Sequence, residues 1–139
     1  MQTVKICLLV AALVLLGPAE GLSLKEKRNA GVTVNIRYTG KDGAARKFVE
    51  EMEASGTAAK IRAEKGNLRY EYFYPANDPE TVLLIDAWEN QAAIDAHHAT
   101  PMMKTIAELR EKYDLHMKVE RYTPEKGDQP ESDQKFIRK

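Results

Sequence analysis

The stretch from Gly66 to Pro101 constrains the fold of this chain more than any other. It holds two strand-like segments joined by a turn with two prolines, and a short helical pattern follows the second segment at once. That second segment, Thr81–Trp88, is apolar on both faces. Because a strand without polar alternation is usually covered on both sides, we expect a hairpin whose second strand lies in the middle of a sheet.

The segments on either side extend this pattern. Upstream, Val32–Thr39 alternates apolar and polar residues as a half-buried strand does. An apolar stripe with helical spacing follows over 44–64, with an interruption at Gly56. Downstream, Pro101 opens a second helix and 114–123 alternates as a last strand. The order β-α-β-β-α-β predicts an α+β, ferredoxin-like antiparallel sheet with both helices on one face and the first and third strands central.

The first 21 residues have the layout of a secretory signal peptide. Lys5 precedes an apolar run over 6–16, and small residues follow at Ala19 and Gly21. We therefore expect export, to a secreted or other extracytoplasmic location. The alternative is a cytoplasmic protein whose start codon is assigned too far upstream. The run is too short to span a bilayer as a mature helix, so no membrane association is expected after removal of the signal.

The rest of the chain divides by composition. Residues 22–31 are polar and basic and are interpreted as a linker, 32–124 form the one domain, and 125–139 form a polar tail that we expect to be disordered. Lys+Arg and Asp+Glu both number 21, so no net charge attracts nucleic acid. The single cysteine excludes an internal disulfide and a cysteine-based metal cluster.

One face of the predicted sheet is left without a cover. It carries both charges and large side chains, a mixture that is unsuitable for a dry core. A second copy of the chain, packed face to face, would cover it. The sequence therefore predicts a homodimer.

Five short segments resemble a known family: Gly66, LRYE at 68–71, IDAWE at 85–89, AIDAH at 93–97 and TP at 100–101. With them the chain resembles the antibiotic biosynthesis monooxygenase (ABM) family, and within it the quinol monooxygenase type. The resemblance covers 32–124 and implies a dimeric α+β barrel with a ligand pocket between each sheet and its helices. Family members include phenol oxygenases without metal or flavin, quinol oxidases, haem-degrading enzymes and enzymes of signal-molecule breakdown, so the fold alone does not fix the reaction.

Four residues are candidates for substrate binding. Trp88 matches a tryptophan that lines the pocket of some family oxygenases, and Asn35 resembles a strand asparagine of the haem-degrading members. Tyr70 and Tyr72 could offer their hydroxyls to a phenolic substrate if their face of the sheet meets the helices. The alternatives are a core aromatic for Trp88 and sheet packing for the tyrosines.

Asp86 and His97 are the candidate catalytic residues. Asp86 lies two residues before Trp88, so both side chains point to the same sheet face. We hypothesise that Asp86 orients or charges His97, which then acts as a general base. In the alternative, His97 packs locally and Asp86 pairs with Arg37 or Lys118 across the sheet.

Neither a metal nor haem is predicted. His97 and His98 are adjacent on a helix and point about 100° apart, so they do not chelate one ion together. The iron-ligating histidine of the family's haem degraders corresponds to Ala107 here. The asparagine and helix tyrosine of its phenol oxygenases correspond to Leu84 and to a position near Ile94, so neither set is complete.

The function that the resemblance implies is that of an oxidoreductase. It would be a cofactor-independent monooxygenase or oxidase that acts on a quinol-like or phenolic small molecule with O₂, after a base removes the phenolic proton. Two alternatives stay open. One is a non-catalytic, small-ligand-binding dimeric stress protein, and the other is an enzyme of small signal-molecule breakdown.

Overall fold

The computed structural model describes residues 31–125, 127 and 129–137. The strands are β1 (Val32–Thr39), β2 (Asn67–Phe73), β3 (Thr81–Trp88) and β4 (His116–Tyr122). The helices are α1 (Ala44–Ala54), α2 (Thr57–Arg62), α3 (Gln91–His98), α4 (Met102–Lys112) and α5 (Glu131–Gln134), and a 3₁₀ turn at Lys41–Gly43 precedes α1. The predicted signal peptide, and the predicted linker up to residue 30, lie outside the described residues.

The predicted architecture is confirmed. The strands form one sheet in the order β2-β3-β1-β4, and all neighbours are antiparallel. Strand β3 has the predicted bounds, and its last residue Trp88 lies opposite Val32 on β1 and Asn67 on β2. The alternate side chains that end at Trp88 are buried towards the helices, while Leu83 and Ile85 point to the other, partly exposed face. We call that second side the open face.

The core lies between the sheet and the helices. Its largest fully buried side chains are Trp88, Tyr38, Phe48, Met52, Ile61, Leu84 and Val82. Burial of a side chain of this size contributes roughly 1.5–3 kcal/mol. These residues come from β1, β3, α1 and α2, so the core joins the central strands to the first helix pair.

The predicted helix over 44–64 is two helices. Gly56 separates α1 from α2 with a φ of +74°, in the left-handed region that glycine adopts without strain. Arg62 at the end of α2 turns back to the sheet, where its Nε donates to the carbonyl oxygen of Tyr70 (2.9 Å) and its guanidinium pairs with Glu53 on α1. The interruption therefore lets α2 reach the edge strand β2.

A tight approach fixes the start of α3. Gly66 has a φ of +85°, and a Cβ added there would lie 2.7 Å from the Cβ of Ala93. The carbonyl of Gly66 accepts from the backbone N–H of Glu89 (2.8 Å), and Asn90 caps α3 through the N–H of Ala93 (3.0 Å). Only glycine satisfies both the backbone angle and the space, so the turn before β2 packs directly on the first turn of α3.

The C-terminal segment carries one short helix. Helix α5 is a single exposed turn within the stretch predicted to be disordered, and the disorder of that stretch stays a prediction. Within the part of the chain that the structure describes, no helix has the length and apolarity needed to cross a membrane.

We predict that Gly66→Ala destabilises the fold more than Gly56→Ala does. Both glycines have a positive φ, but nothing lies within 4 Å of a Cβ added at Gly56. Backbone strain alone should cost about 1–2 kcal/mol at Gly56, and the contact with Ala93 should add about 1–3 kcal/mol at Gly66. Urea unfolding at one protein concentration measures both values. Equal losses would show that the Gly66 turn can move away from α3.

Candidate active site

Buried polar side chains surround Trp88 on the helix-facing side of the sheet. Asp86 and Trp88 come from β3 and are 8% and 0% exposed. His97 comes from the last turn of α3 and is 4% exposed. The predicted trio therefore lies together in the interior, where unpaired polar groups are costly and must be accounted for.

His97 has a different partner from the one predicted. Its Nδ1 lies 3.0 Å and 3.2 Å from the two carboxylate oxygens of Glu64. Since an ionised carboxylate only accepts, this nitrogen carries the proton. The imidazole also stacks on the indole of Trp88, with ring centroids 4.9 Å apart and a tilt of 30°. Glu64, and not Asp86, is therefore the carboxylate within hydrogen-bond distance of the imidazole.

The turn at Gly66 explains how Glu64 reaches this position. Gly66 packs on Ala93, and His97 lies one helical turn further along the same side of α3. Glu64 precedes Gly66 by two residues and so faces that next turn. In the sequence, Glu64 has the pattern of a solvated residue at the end of a helix. Only Gly66, two residues later, indicates that this turn packs closely on another element.

Asp86 has no ionic partner on the sheet. Arg37 and Lys118 lie opposite each other on the open face, whereas Asp86 points to the helices, so the predicted alternative pairing across the sheet is wrong. Lys118 instead pairs with Glu120 (2.8 Å). Within the described chain, neither Oδ1 of Asp86 nor Nε1 of Trp88 has a hydrogen-bond partner. A buried acceptor and a buried donor thus stand unsatisfied two residues apart.

The environment of Asp86 changes its protonation. Burial raises the pKa of its carboxyl group to about 6, from an ordinary value of 3.8, and the nearby charge of Glu64 adds to the increase. The indole N–H of Trp88 and the His97 imidazole act in the opposite direction. The carboxylate is therefore ionised at neutral pH and takes up a proton in mild acid.

Two tyrosines extend the polar cluster along β2. Tyr70 lies opposite Asp86 in the sheet register, and its hydroxyl is 3.3 Å from that of Tyr72. Burial raises the pKa of both phenols, so both hydroxyls stay protonated and can donate at neutral pH. Tyr72 also borders an open surface depression at the β2 edge of the sheet, whose other lining residues are Glu53, Arg62, Arg69, Glu71 and Phe73. Tyr72 therefore lies between this depression and the buried cluster.

The sequence profile of the family described as "Antibiotic biosynthesis monooxygenase" matches residues 31–109.

The chain belongs to the antibiotic biosynthesis monooxygenase (ABM) family.

Solved structures share the ABM fold of this chain. A protein of Pseudomonas aeruginosa has 23% identity and a TM-score of 0.62, with 71% of this chain and 98% of that chain covered. SnoaB, described as a cofactor-independent oxygenase of Streptomyces nogalater, has 21% identity, a TM-score of 0.59 and coverage of 70% and 96%. A protein of Mycobacterium tuberculosis has 21% identity, a TM-score of 0.60 and coverage of 72% and 100%. No functionally curated protein matches the chain.

One predicted site residue lies apart from this cluster. Asn35 points to the open face of the ABM sheet, opposite Ile85 on β3 and Glu120 on β4. Its Oδ1 is buried without a hydrogen-bond partner among the described residues. The predicted substrate-binding set is therefore divided between the two faces, with Trp88, Tyr70 and Tyr72 on the helix side.

No sequence pattern pointed to a part-buried hydrogen-bonded pair that lies outside this cluster. Arg110 on α4 donates from Nη2 to the hydroxyl of Tyr38 (2.7 Å), next to the core of the ABM domain. The Arg110 charge lowers the pKa of Tyr38, while burial raises it by more.

Within the described residues, no three His, Cys, Asp or Glu side chains converge as ligands of one metal ion would.

We predict that Asp86→Asn changes how stability depends on pH. The folded protein keeps a proton on Asp86 up to about pH 6, whereas the unfolded chain releases it near 3.8. Wild-type stability should therefore fall as pH rises between these values, by roughly 3 kcal/mol at 1.36 kcal/mol per pH unit. The variant lacks this contribution.

The measurement is the free energy of urea unfolding from pH 4 to pH 7 for both proteins. Other titrating groups are common to the two, so their contributions cancel in the difference. The advantage of the variant over wild type should grow by about 2.4 kcal/mol across this range, because the unfolded chain has already released part of its proton at pH 4. A constant difference would mean that Asp86 titrates as an ordinary exposed carboxyl group.

Proposed function

We propose that this ABM protein is a cofactor-independent oxygenase that acts on a small phenolic or quinol-like substrate with O₂. The observation that carries the proposal is the buried carboxylate of Asp86, whose Oδ1 has no hydrogen-bond partner among the described residues, on the same sheet face as the indole of Trp88. A base with a pKa near the working pH combines the right protonation state with enough basicity to remove a phenolic proton. The pKa of Asp86, about 6, meets that condition.

The site offers the functions that this reaction needs. Asp86 accepts the phenolic proton, and the electron-rich anion that results reacts with O₂. The indole N–H of Trp88 is free to donate to an oxygen of the substrate or of the developing anion. When a phenol becomes a quinone, one oxygen atom enters the ring and the other leaves as water. The substrate supplies all the electrons, so the reaction balances without a further reductant.

The tyrosines support a phenolic substrate. Their protonated hydroxyls can donate to an aromatic hydroxyl or carbonyl group, and Tyr72 borders an open depression at the β2 edge of the sheet. The likeness of the fold to SnoaB, a cofactor-independent oxygenase, adds support.

A second candidate function is that of a dimeric small-ligand-binding stress protein without chemistry of its own. The observation that favours it is the tight burial of Trp88 (0% exposed), Tyr70 (3%) and His97 (4%). Side chains packed to this degree form a core as readily as a pocket. The two candidates differ in whether O₂ is consumed.

We predict O₂ consumption by the purified protein with at least one member of a panel of hydroquinones and polycyclic phenols. Asp86→Asn should lower kcat by about 10²–10⁴-fold, which is the usual contribution of a general base. Asp95→Asn is the matched control, because Asp95 is exposed on α3 and contacts Gln91 (2.8 Å) outside the cluster. Flat oxygen traces with the whole panel, from folded protein, would favour the binding protein.

We also propose that the chain forms a homodimer through its open face. Leu83 and Ile85 lie partly exposed at the centre of this face, next to the unpartnered amide oxygen of Asn35. Charges of both signs surround them, namely those of Arg37, Arg69, Glu71, Lys118 and Glu120. In a two-fold symmetric dimer, this face packs against the same face of the second copy, so that positive charges can meet negative ones. The second copy would also supply a hydrogen-bond donor to the amide oxygen of Asn35.

We predict that Ile85→Lys converts the dimer into a monomer. A lysine at the centre of the face would be desolvated on association, and the cost of this desolvation can exceed the gain from pairing with Glu71, which lies opposite on β2. Ala107→Lys is the control, because it adds the same charge to an exposed position of α4, on the helix side of the sheet. Sedimentation velocity measures both. A wild-type monomer, or an Ile85→Lys dimer, would contradict this interface.

A further inference from the structure

Glu64, His97 and Trp88 form a continuous line of contact behind Asp86. They come from the turn after α2, from α3 and from the end of β3. The carboxylate of Glu64 accepts a hydrogen bond from Nδ1–H of His97, and the imidazole of His97 stacks on the indole ring of Trp88. The indole shares its sheet face with Asp86, which lies two residues earlier on β3. No part of the proposed reaction uses Glu64 directly.

We propose that Glu64 is a positioning residue, which fixes His97 in its Nδ1-protonated form and so holds the indole of Trp88 in place on the sheet face that it shares with Asp86. The importance of this arrangement for turnover rests on the proposed function. The arrangement itself can be measured without a substrate. It adds to the site a residue outside the sequence-predicted set.

The contact geometry restrains the imidazole in two ways. Both oxygens of Glu64 lie within hydrogen-bond distance of one nitrogen, so a rotation of the ring by half a turn would place a carbon against the carboxylate. The torsion that controls this rotation has a broad, roughly two-fold preference, so the side chain alone does not decide between the two orientations. The hydrogen bond to Glu64 decides, and it also selects the tautomer.

The burial of the pair makes the restraint effective. The side chains of His97 and Glu64 are only 5% and 16% exposed, so water competes weakly for their hydrogen bond. The tilted stack with Trp88, at 4.9 Å, then transmits the ring orientation to the indole. On the far side His98 approaches His97 with a centroid distance of 5.7 Å, but it is exposed and does not fix the ring.

The low number of histidines and tryptophans makes the proposal accessible to NMR and fluorescence. The protein has three histidines and one tryptophan, so imidazole ¹⁵N signals and indole signals can be assigned with few variants. Wild-type protein at pH 8.5 should show His97 protonated on Nδ1. His98 and His116 serve as internal references, because both are exposed.

Two substitutions of Glu64 separate charge from shape. Glu64→Gln is isosteric, but an amide can donate or accept, so His97 should populate both tautomers. Glu64→Asp keeps an acceptor-only carboxylate and should keep the Nδ1-protonated form. The exposed helix residue Glu50 provides the control Glu50→Gln. The fluorescence of the single tryptophan should become more accessible to acrylamide in Glu64→Gln, and unchanged in Glu50→Gln.

For turnover we expect Glu64→Gln to lower kcat by about tenfold with KM little changed, and Glu64→Asp to restore most of it. An Nε2-protonated His97 in wild type, or wild-type tautomer and indole signals in Glu64→Gln, overturns the proposal. If the spectra change as expected while wild type consumes no O₂, the positioning role stands and the oxygenase function fails. If wild type turns over and the spectra do not change, only the positioning role fails.

Discussion

The packing of the Gly66 turn on the first turn of α3 is the contact on which the rest of the site depends. It sets how closely the turn before β2 approaches the start of α3, because Gly66 contacts Ala93 and its carbonyl accepts from the backbone N–H of Glu89. Without that approach, Glu64 would not reach the imidazole one turn further along the helix. A steric requirement at a single backbone position thus determines the chemistry of a side chain several residues away.

The site that results is costly to the fold. Among the described residues, a carboxylate oxygen of Asp86 and the indole N–H of Trp88 are buried without a hydrogen-bond partner, where apolar side chains would be more stable. Elsewhere the fold follows ordinary rules, with an apolar core under the helices and ion pairs at the surface such as that of Lys112 with Glu51. Sites of function are where proteins keep such local losses of stability, which agrees with a reactive role for Asp86.

Much of the fold could be predicted from the sequence, because it depends on local patterns. The bounds of β3 followed from its apolar run, and the order of the strands followed from the handedness of the crossovers. The side of the sheet to which each site residue points was harder to predict. Strand β3 has no alternation, so its own pattern does not say whether Asp86 faces the helices, whereas β1 alternates and places Asn35 opposite its apolar face. Glu64 could not be predicted, because its contact with His97 joins segments that only the folded turn brings together.

The hydrogen bond from Arg62 to the carbonyl of Tyr70 has a consequence for self-association. Strand β2 is an edge of the sheet, and an edge with free carbonyl and N–H groups is a template for strands of other molecules. Arg62 occupies one of these outward carbonyls, and its ion pair with Glu53 places charge along the same border. This contact removes one acceptor from the edge and adds charge beside it, and both features disfavour the pairing with further strands that leads to fibrils.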